Sequence, residues 1–64
     1  MADDGEVLLE FIDMGRFIRV NAVDPLTGTE VAISGPRSAG QEALTRTAVA
    51  KLTYRLEKLG LSRR

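Results

Sequence analysis

The sequence predicts an α+β fold, a three-stranded antiparallel β-meander followed by one C-terminal α-helix packed on one face of the sheet. Three observations carry this prediction. Apolar residues alternate every second position through the first half of the chain, and they recur at helical spacing through the second. Glycine- and proline-containing turns separate the segments.

Residues 6–14 form the first predicted strand, with Val7, Leu9 and Phe11 on one face and Leu8, Glu10, Ile12 and Met14 on the other. Gly15 supplies the positive φ that a tight hairpin needs. Residues 16–23 continue the alternation, with Ile18, Val20 and Ala22 set against Phe17, Arg19, Asn21 and Val23. The run Asp24-Pro25-Leu26-Thr27-Gly28-Thr29 is a turn signal: proline presets the first turn dihedral and aspartate can accept from nearby backbone N–H groups. Residues 30–34 form a third, shorter strand with Val31 and Ile33 on one side.

Register tests this assignment. A two-residue Met14-Gly15 loop pairs Phe11 with Ile18, Leu9 with Val20 and Val7 with Ala22, and on the other face Ile12 with Phe17 and Glu10 with Arg19. A four-residue Pro25–Gly28 loop sets Ala22 opposite Val31 and Val20 opposite Ile33. One apolar face then emerges from all three strands, which a one-residue slip would scatter.

Gly35-Pro36-Arg37 ends the strands, and Ser38 with Gln41 three residues on resembles a capping box that starts the helix. Leu44, Ala48, Val49, Leu52, Leu56 and Leu59 then fall within about 140° of the helix surface. Gly60 closes the helix as its C-cap residue. The expected organisation is a disordered N-terminus over 1–5, a single domain over 6–60 and a frayed basic tail over 61–64. The expected core comprises those six helix residues with Val7, Leu9, Phe11, Ile18, Val20, Ala22, Val31 and Ile33.

Composition narrows the chemistry. The chain has 64 residues, no Cys and no His, which removes disulfides, thiolate metal sites and the usual neutral-pH base. Without them a catalytic site needs a tuned carboxylate or lysine in a pocket, and the carboxylates here fall on strand surfaces and turns. The expectation is a protein that is not an enzyme, with no cofactor, no metal and no small-molecule substrate. No apolar run exceeds three residues, as in Val7-Leu8-Leu9, against the roughly 20 of a membrane span. Asp3, Asp4 and Glu6 stand where a secretory leader would be basic and then apolar, so a soluble cytoplasmic protein is expected.

Charge is divided along the chain. Residues 1–34 hold seven acids against Arg16 and Arg19, whereas residues 35–64 hold seven bases against Glu42 and Glu57. The halves cancel to a net charge of zero.

Four constellations invite a functional reading. On the sheet face opposite the helix, Leu8, Ile12, Met14, Phe17, Val23 and Ala32 surround Glu10, Arg19, Asn21 and Glu30. A solvated sheet face usually alternates cleanly to polar residues, so this patch reads as a contact surface, with Phe17, Ile12 and Leu8 at its apolar centre and Glu10 and Arg19 as its polar pair. A homodimer is the commonest partner for such a face. The second constellation is a basic helix edge, Lys51, Arg55 and Lys58 beside Tyr54, extended by Arg37. It offers an alternative, weak binding of nucleic acid or an acidic partner, although a net charge of zero is unlike the usual nucleic-acid footprint. The third, Gly35 to Gly40, has the G-x-x-x-x-G spacing of a phosphate loop, but Gln41 and Glu42 occupy the places of its Lys and Ser/Thr. It reads as a connector with at most loose anion binding. The fourth, Asp24 to Thr29, approximates the D-K-T-G-T of phosphorylated ATPases, yet lacks the lysine and has one residue too many; a hairpin turn accounts for it.

Across Glu10-Phe11, Gly15, Ile18 through Val31, Gly35-Pro36 and Leu52-Thr53-Tyr54, the chain resembles a small bacterial family of uncharacterised proteins of about this length. The resemblance implies no activity, ligand or catalytic residue. It implies a free-standing cytoplasmic protein rather than a fragment. The sequence thus leads to a non-enzymatic interaction module that self-associates through the outer sheet face.

Overall fold

The computed structural model describes residues 6–61. Three strands, β1 (Leu8–Asp13), β2 (Phe17–Asp24) and β3 (Thr29–Pro36), precede a single 3-10 turn (Arg37–Ala39) and the helix α1 (Gln41–Lys58). The strands form one antiparallel sheet in the order β1-β2-β3, so the fold is β-β-β-α as the alternation predicts.

The second hairpin has the expected register. Ala22 lies opposite Val31 and Val20 opposite Ile33, with Asp24 paired to Thr29 across the Pro25–Gly28 loop. Within that loop the Gly28 N–H donates to the Asp24 carbonyl at 2.7 Å, and the Thr27 hydroxyl donates to the Asp24 carboxylate at 2.8 Å. Asp24 is accordingly buried at 1% exposure with its turn wrapped around it.

The first hairpin is shifted by two residues from the expected register. Leu9 pairs with Ala22, Phe11 with Val20 and Ile12 with Arg19, and the Met14 N–H donates to the Phe17 carbonyl at 2.9 Å. The two-residue loop is therefore Gly15-Arg16. The reason is backbone sterics: primed hairpin turns need positive φ at their first central residue. Gly15 takes φ 94° there, whereas a Met14-Gly15 loop would force it on methionine. A slip of two, unlike a slip of one, leaves every side chain on its expected face.

β3 is longer than expected because Gly35 and Pro36 stay in the ladder, opposite Ile18 and Phe17. Proline is tolerated there at the end of an edge strand. The chain then uses Arg37–Ala39 to turn, and α1 starts only at Gln41 with Gly40 as N-cap and no side-chain cap. Ser38 is thus inside the 3-10 turn, and the expected capping box does not form. The C-terminal end follows expectation. The Gly60 N–H donates to the Glu57 carbonyl at 3.1 Å and the Leu61 N–H to the Leu56 carbonyl at 2.7 Å, with Gly60 at φ 73°. This is a Schellman motif, whose last hydrogen-bonded residue is Leu61; of the expected tail over 61–64, residues 62–64 lie outside the described residues, as does the expected N-terminus over 1–5.

α1 lies over β2 and β3. Leu44, Ala48, Leu52 and Leu56, spaced every four residues, pack with Val20, Ala22 and Val31 as the buried core, with Val7, Ile18 and Ile33 at its margin. β1 is not roofed, so Leu9 and Phe11, expected in the core, remain 36% and 37% exposed. A helix with its side chains is about 10 Å across, enough for two strands spaced about 4.8 Å apart and not for three. Val49 is half-buried on the helix flank, and Leu59, beyond the last turn, is exposed.

Two polar ties complete the assembly. Arg37 donates through Nε and Nη2 to the Gly15 carbonyl, at 3.2 and 2.7 Å, and its Nη2 also meets the Asp13 carboxylate. The Asp13 carboxylate accepts in turn from the Gly15 N–H at 2.8 Å. Lys51 reaches from α1 to donate to the Ala32 carbonyl on β3 at 2.8 Å, which covers part of an exposed sheet edge.

Two outcomes test this packing. A Cβ on Gly35 would lie 2.5 Å from Leu44 Cδ2, itself buried against the sheet. Gly35→Ala should therefore destabilise the protein by about 1–3 kcal/mol as overpacking does, lowering the urea midpoint; an unchanged or raised midpoint contradicts the close approach. The Asp13 pKa is held below its ordinary value by the Gly15 N–H and then by Arg37. A depressed carboxylate adds stability above its unfolded pKa, and that stability is lost as pH falls through the folded value. The gap in urea midpoint between wild type and Asp13→Asn should thus be present at neutral pH and close as pH falls below about 4, the unfolded aspartate range. A gap independent of pH contradicts the tie.

Candidate interaction surface

Alternation places the expected contact residues on one face. The outer face of the sheet, away from α1, consists of four rows that run across the strands. Leu8, Val23 and Glu30 form the first, Glu10, Asn21 and Ala32 the second, and Ile12, Arg19 and Ser34 the third. Met14, Phe17 and Pro36 form the fourth. All eight residues predicted for the interface, Leu8, Glu10, Ile12, Met14, Phe17, Arg19, Val23 and Ala32, are brought together here.

The apolar groups gather at the two ends rather than at the centre. Leu8 is 53% exposed at one end, Met14 48% and Phe17 39% at the other, with Ile12, Val23 and Ala32 half-buried between their neighbours. A polar ladder crosses the middle. Asn21 Nδ2 donates to Glu10 Oε1 at 3.3 Å, and Arg19 Nε donates to Asn21 Oδ1 at 3.3 Å. Glu10 and Arg19 do not face each other directly, a consequence of the two-residue register shift. They are linked through Asn21 instead. The ladder satisfies these groups without covering the large side chains on either side, so the face stays apolar where it is most exposed.

Of the predicted basic edge, Lys51, Arg55 and Lys58 lie on one side of α1, whereas Arg37 lies in the 3-10 turn before it. Arg37 holds the β1–β2 turn, Lys51 holds the β3 carbonyl, and Lys58 Nζ sits 5.4 Å from the Tyr54 ring centroid, within cation–π range. Arg46 pairs with Glu42 one turn away at 3.8 Å. Arg55, exposed near the helix end, makes no ion pair among the described residues. The Gly35–Gly40 segment is divided between β3 and the 3-10 turn, so it forms no continuous loop around an anion.

One surface does not follow from the alternation, the strip of β1 on the helix side that exposes Leu9 and Phe11. The signal for it was available as a width: a single helix stripe covers two strands. Among the described residues no pocket forms, no cluster of His, Cys, Asp or Glu is arranged to hold a metal, and no helix is long and apolar enough to cross a membrane.

Comparison with known proteins adds one finding. No curated protein and no solved structure matches the chain. A family model does match, over residues 4–59, and so spans all three strands and the whole of the helix. The chain therefore belongs to the DUF6898 family, a domain of unknown function.

Proposed function

We propose that this protein is a non-enzymatic protein–protein interaction module that self-associates through the outer face of its sheet. The observation that carries the reading is the exposure of Leu8, Met14 and Phe17 on the sheet face away from α1. A domain of this size buries only roughly 60% of its unfolded-chain surface, so covering a second sheet face adds appreciably to a small core. A cytoplasmic location accords with a chain that contains no cysteine.

The expected strength follows from area. Strands about 4.8 Å apart and rising about 3.4 Å per residue make the face on the order of 14 by 25 Å. Two such faces bury on the order of 800 Å² in total, below the roughly 1,200–2,000 Å² of stable specific interfaces and in the size class of weak, transient ones. The association should be reversible and in the micromolar range or weaker. Binding of nucleic acid or an acidic partner through the helix edge is less favoured, because Arg37, Lys51 and Lys58 already have contacts within the chain.

Light scattering across a dilution series tests the reading. Wild type should pass from dimer to monomer on dilution, and the dimer should hold or tighten as salt rises. Phe17→Glu should weaken it by about 2 kcal/mol or more, as loss of a large aromatic anchor does, with the circular dichroism spectrum unchanged. If that variant fails to fold, Met14→Lys at the same end of the face gives the same readout. A wild-type mass that stays monomeric at all concentrations, or a variant that dimerises as well as wild type, overturns the proposal. Association that falls steeply with salt would point to a charged partner instead.

A further inference from the structure

The four rows of the outer face differ from one another, and this limits how two copies can stack. Both end rows hold large exposed side chains, Leu8 in the first and Met14 and Phe17 in the fourth. The second row holds an acid, Glu10, and the third a base, Arg19. Stacked sheets keep their strands within about 30° of alignment, so a two-fold axis in the interface runs either along the strands or across them.

An axis along the strands sets β1 over β3 of the second copy and leaves each row on itself. Arg19 then lies over Arg19, which opposes like charges. An axis across the strands sets each strand over its own copy in the opposite direction. If that axis passed through the second or third row, Glu10 would meet Glu10 or Arg19 would meet Arg19. Between those two rows there is no such conflict. Leu8 then lies over Met14, Val23 over Phe17 and Ala32 over Ser34, and Glu30 lies over Pro36. Glu10 and Arg19 lie over Ile12 and Asn21, so that Glu10 of one copy and Arg19 of the second copy are neighbours on adjacent strands.

The geometry points to this last arrangement: a two-fold dimer with strand directions opposed, its axis across the strands between the Glu10 and Arg19 rows. The inference rests on the self-association proposed above and adds the arrangement and the residues that select it. The Glu10–Asn21–Arg19 ladder is the selecting element. Within one copy Asn21 links both charged side chains on the face, and across the dimer Glu10 and Arg19 come to neighbouring positions one strand apart. Like-charge stacking opposes the other registers, so the ladder supplies specificity while the end rows supply contact area.

Thiol cross-linking separates the arrangements, since the chain has no native cysteine. Leu8→Cys and Met14→Cys variants are made singly, and a bismaleimide is used whose reach matches the ~10 Å spacing of stacked sheets. A mixture of the two variants should give the cross-linked heterodimer, whereas each variant alone should not. In the proposed stack like residues are displaced by six positions along the strand, about 20 Å. Charge exchange gives a second readout. Glu10→Arg and Arg19→Glu should each raise the dimer Kd by about tenfold, and the double variant should return to within about threefold of wild type.

A dimer that cross-links through Leu8→Cys alone, or that the double variant fails to restore, overturns the arrangement and leaves an outer-face dimer standing. A dimer with no outer-face cross-link, or a monomer at every concentration, overturns the outer-face reading as well.

Discussion

Four helix side chains resting on two strands determine most of what this small protein presents to its surroundings. Leu44, Ala48, Leu52 and Leu56 lie on Val20, Ala22 and Val31, and that contact is nearly the whole core. Because the stripe is one residue wide and α1 is the single long helix among the described residues, it cannot reach β1 or the far side of the sheet. Everything that follows is a consequence of that limit. β1 is attached by its ladder to β2 rather than by helix packing, Leu9 and Phe11 stay partly open, and among the described residues no element covers the outer face.

Electrostatics compensates where packing does not reach. The hairpin turn at Gly15 lies at the end of the sheet where α1 begins, and Arg37 secures it through the Gly15 carbonyl and Asp13. Lys51 secures the opposite flank through the Ala32 carbonyl. The division of charge along the sequence thus serves, in part, to tie the basic second half of the chain to the acidic first half. Such exposed contacts are individually weak. Their value here is positional, since each fixes a segment that the core does not hold. The remaining opposition, Glu10 and Arg19 joined through Asn21, lies on the outer face and gives it a direction.

The alternation of residues 6–34 made the fold legible, because strand periodicity assigns faces without knowledge of partners. The Pro25–Gly28 turn was legible too, with Asp24 and Gly28 in the positions that turn chemistry requires. The first hairpin is legible only to within two residues, because the alternation alone fits Gly15 in the second turn position as well as in the first. Only the backbone requirement for positive φ, met there by Gly15, distinguishes the two. Parity protected the face assignment, so all eight predicted contact residues share one surface although several of their cross-strand partners differ. The helix start was illegible for another reason: Gly35 and Pro36 look like a boundary but are held in the ladder by Ile18 and Phe17, which pushes Ser38 into the turn. Leu9 and Phe11 were misplaced because a pattern specifies which face a residue takes, not how far the opposing element extends.

The central claim is that the outer sheet face, and not the helix side, is where this protein meets its own copy. Methyl chemical shifts followed through a dilution series test it most directly, since each methyl reports on its own side of the sheet. The account predicts concentration-dependent shifts at Leu8, Ile12, Met14 and Val23, with Val31, Leu44 and Leu52 unchanged. Shifts confined to Leu9 and the helix side, or no shift at any residue up to the highest soluble concentration, would contradict it.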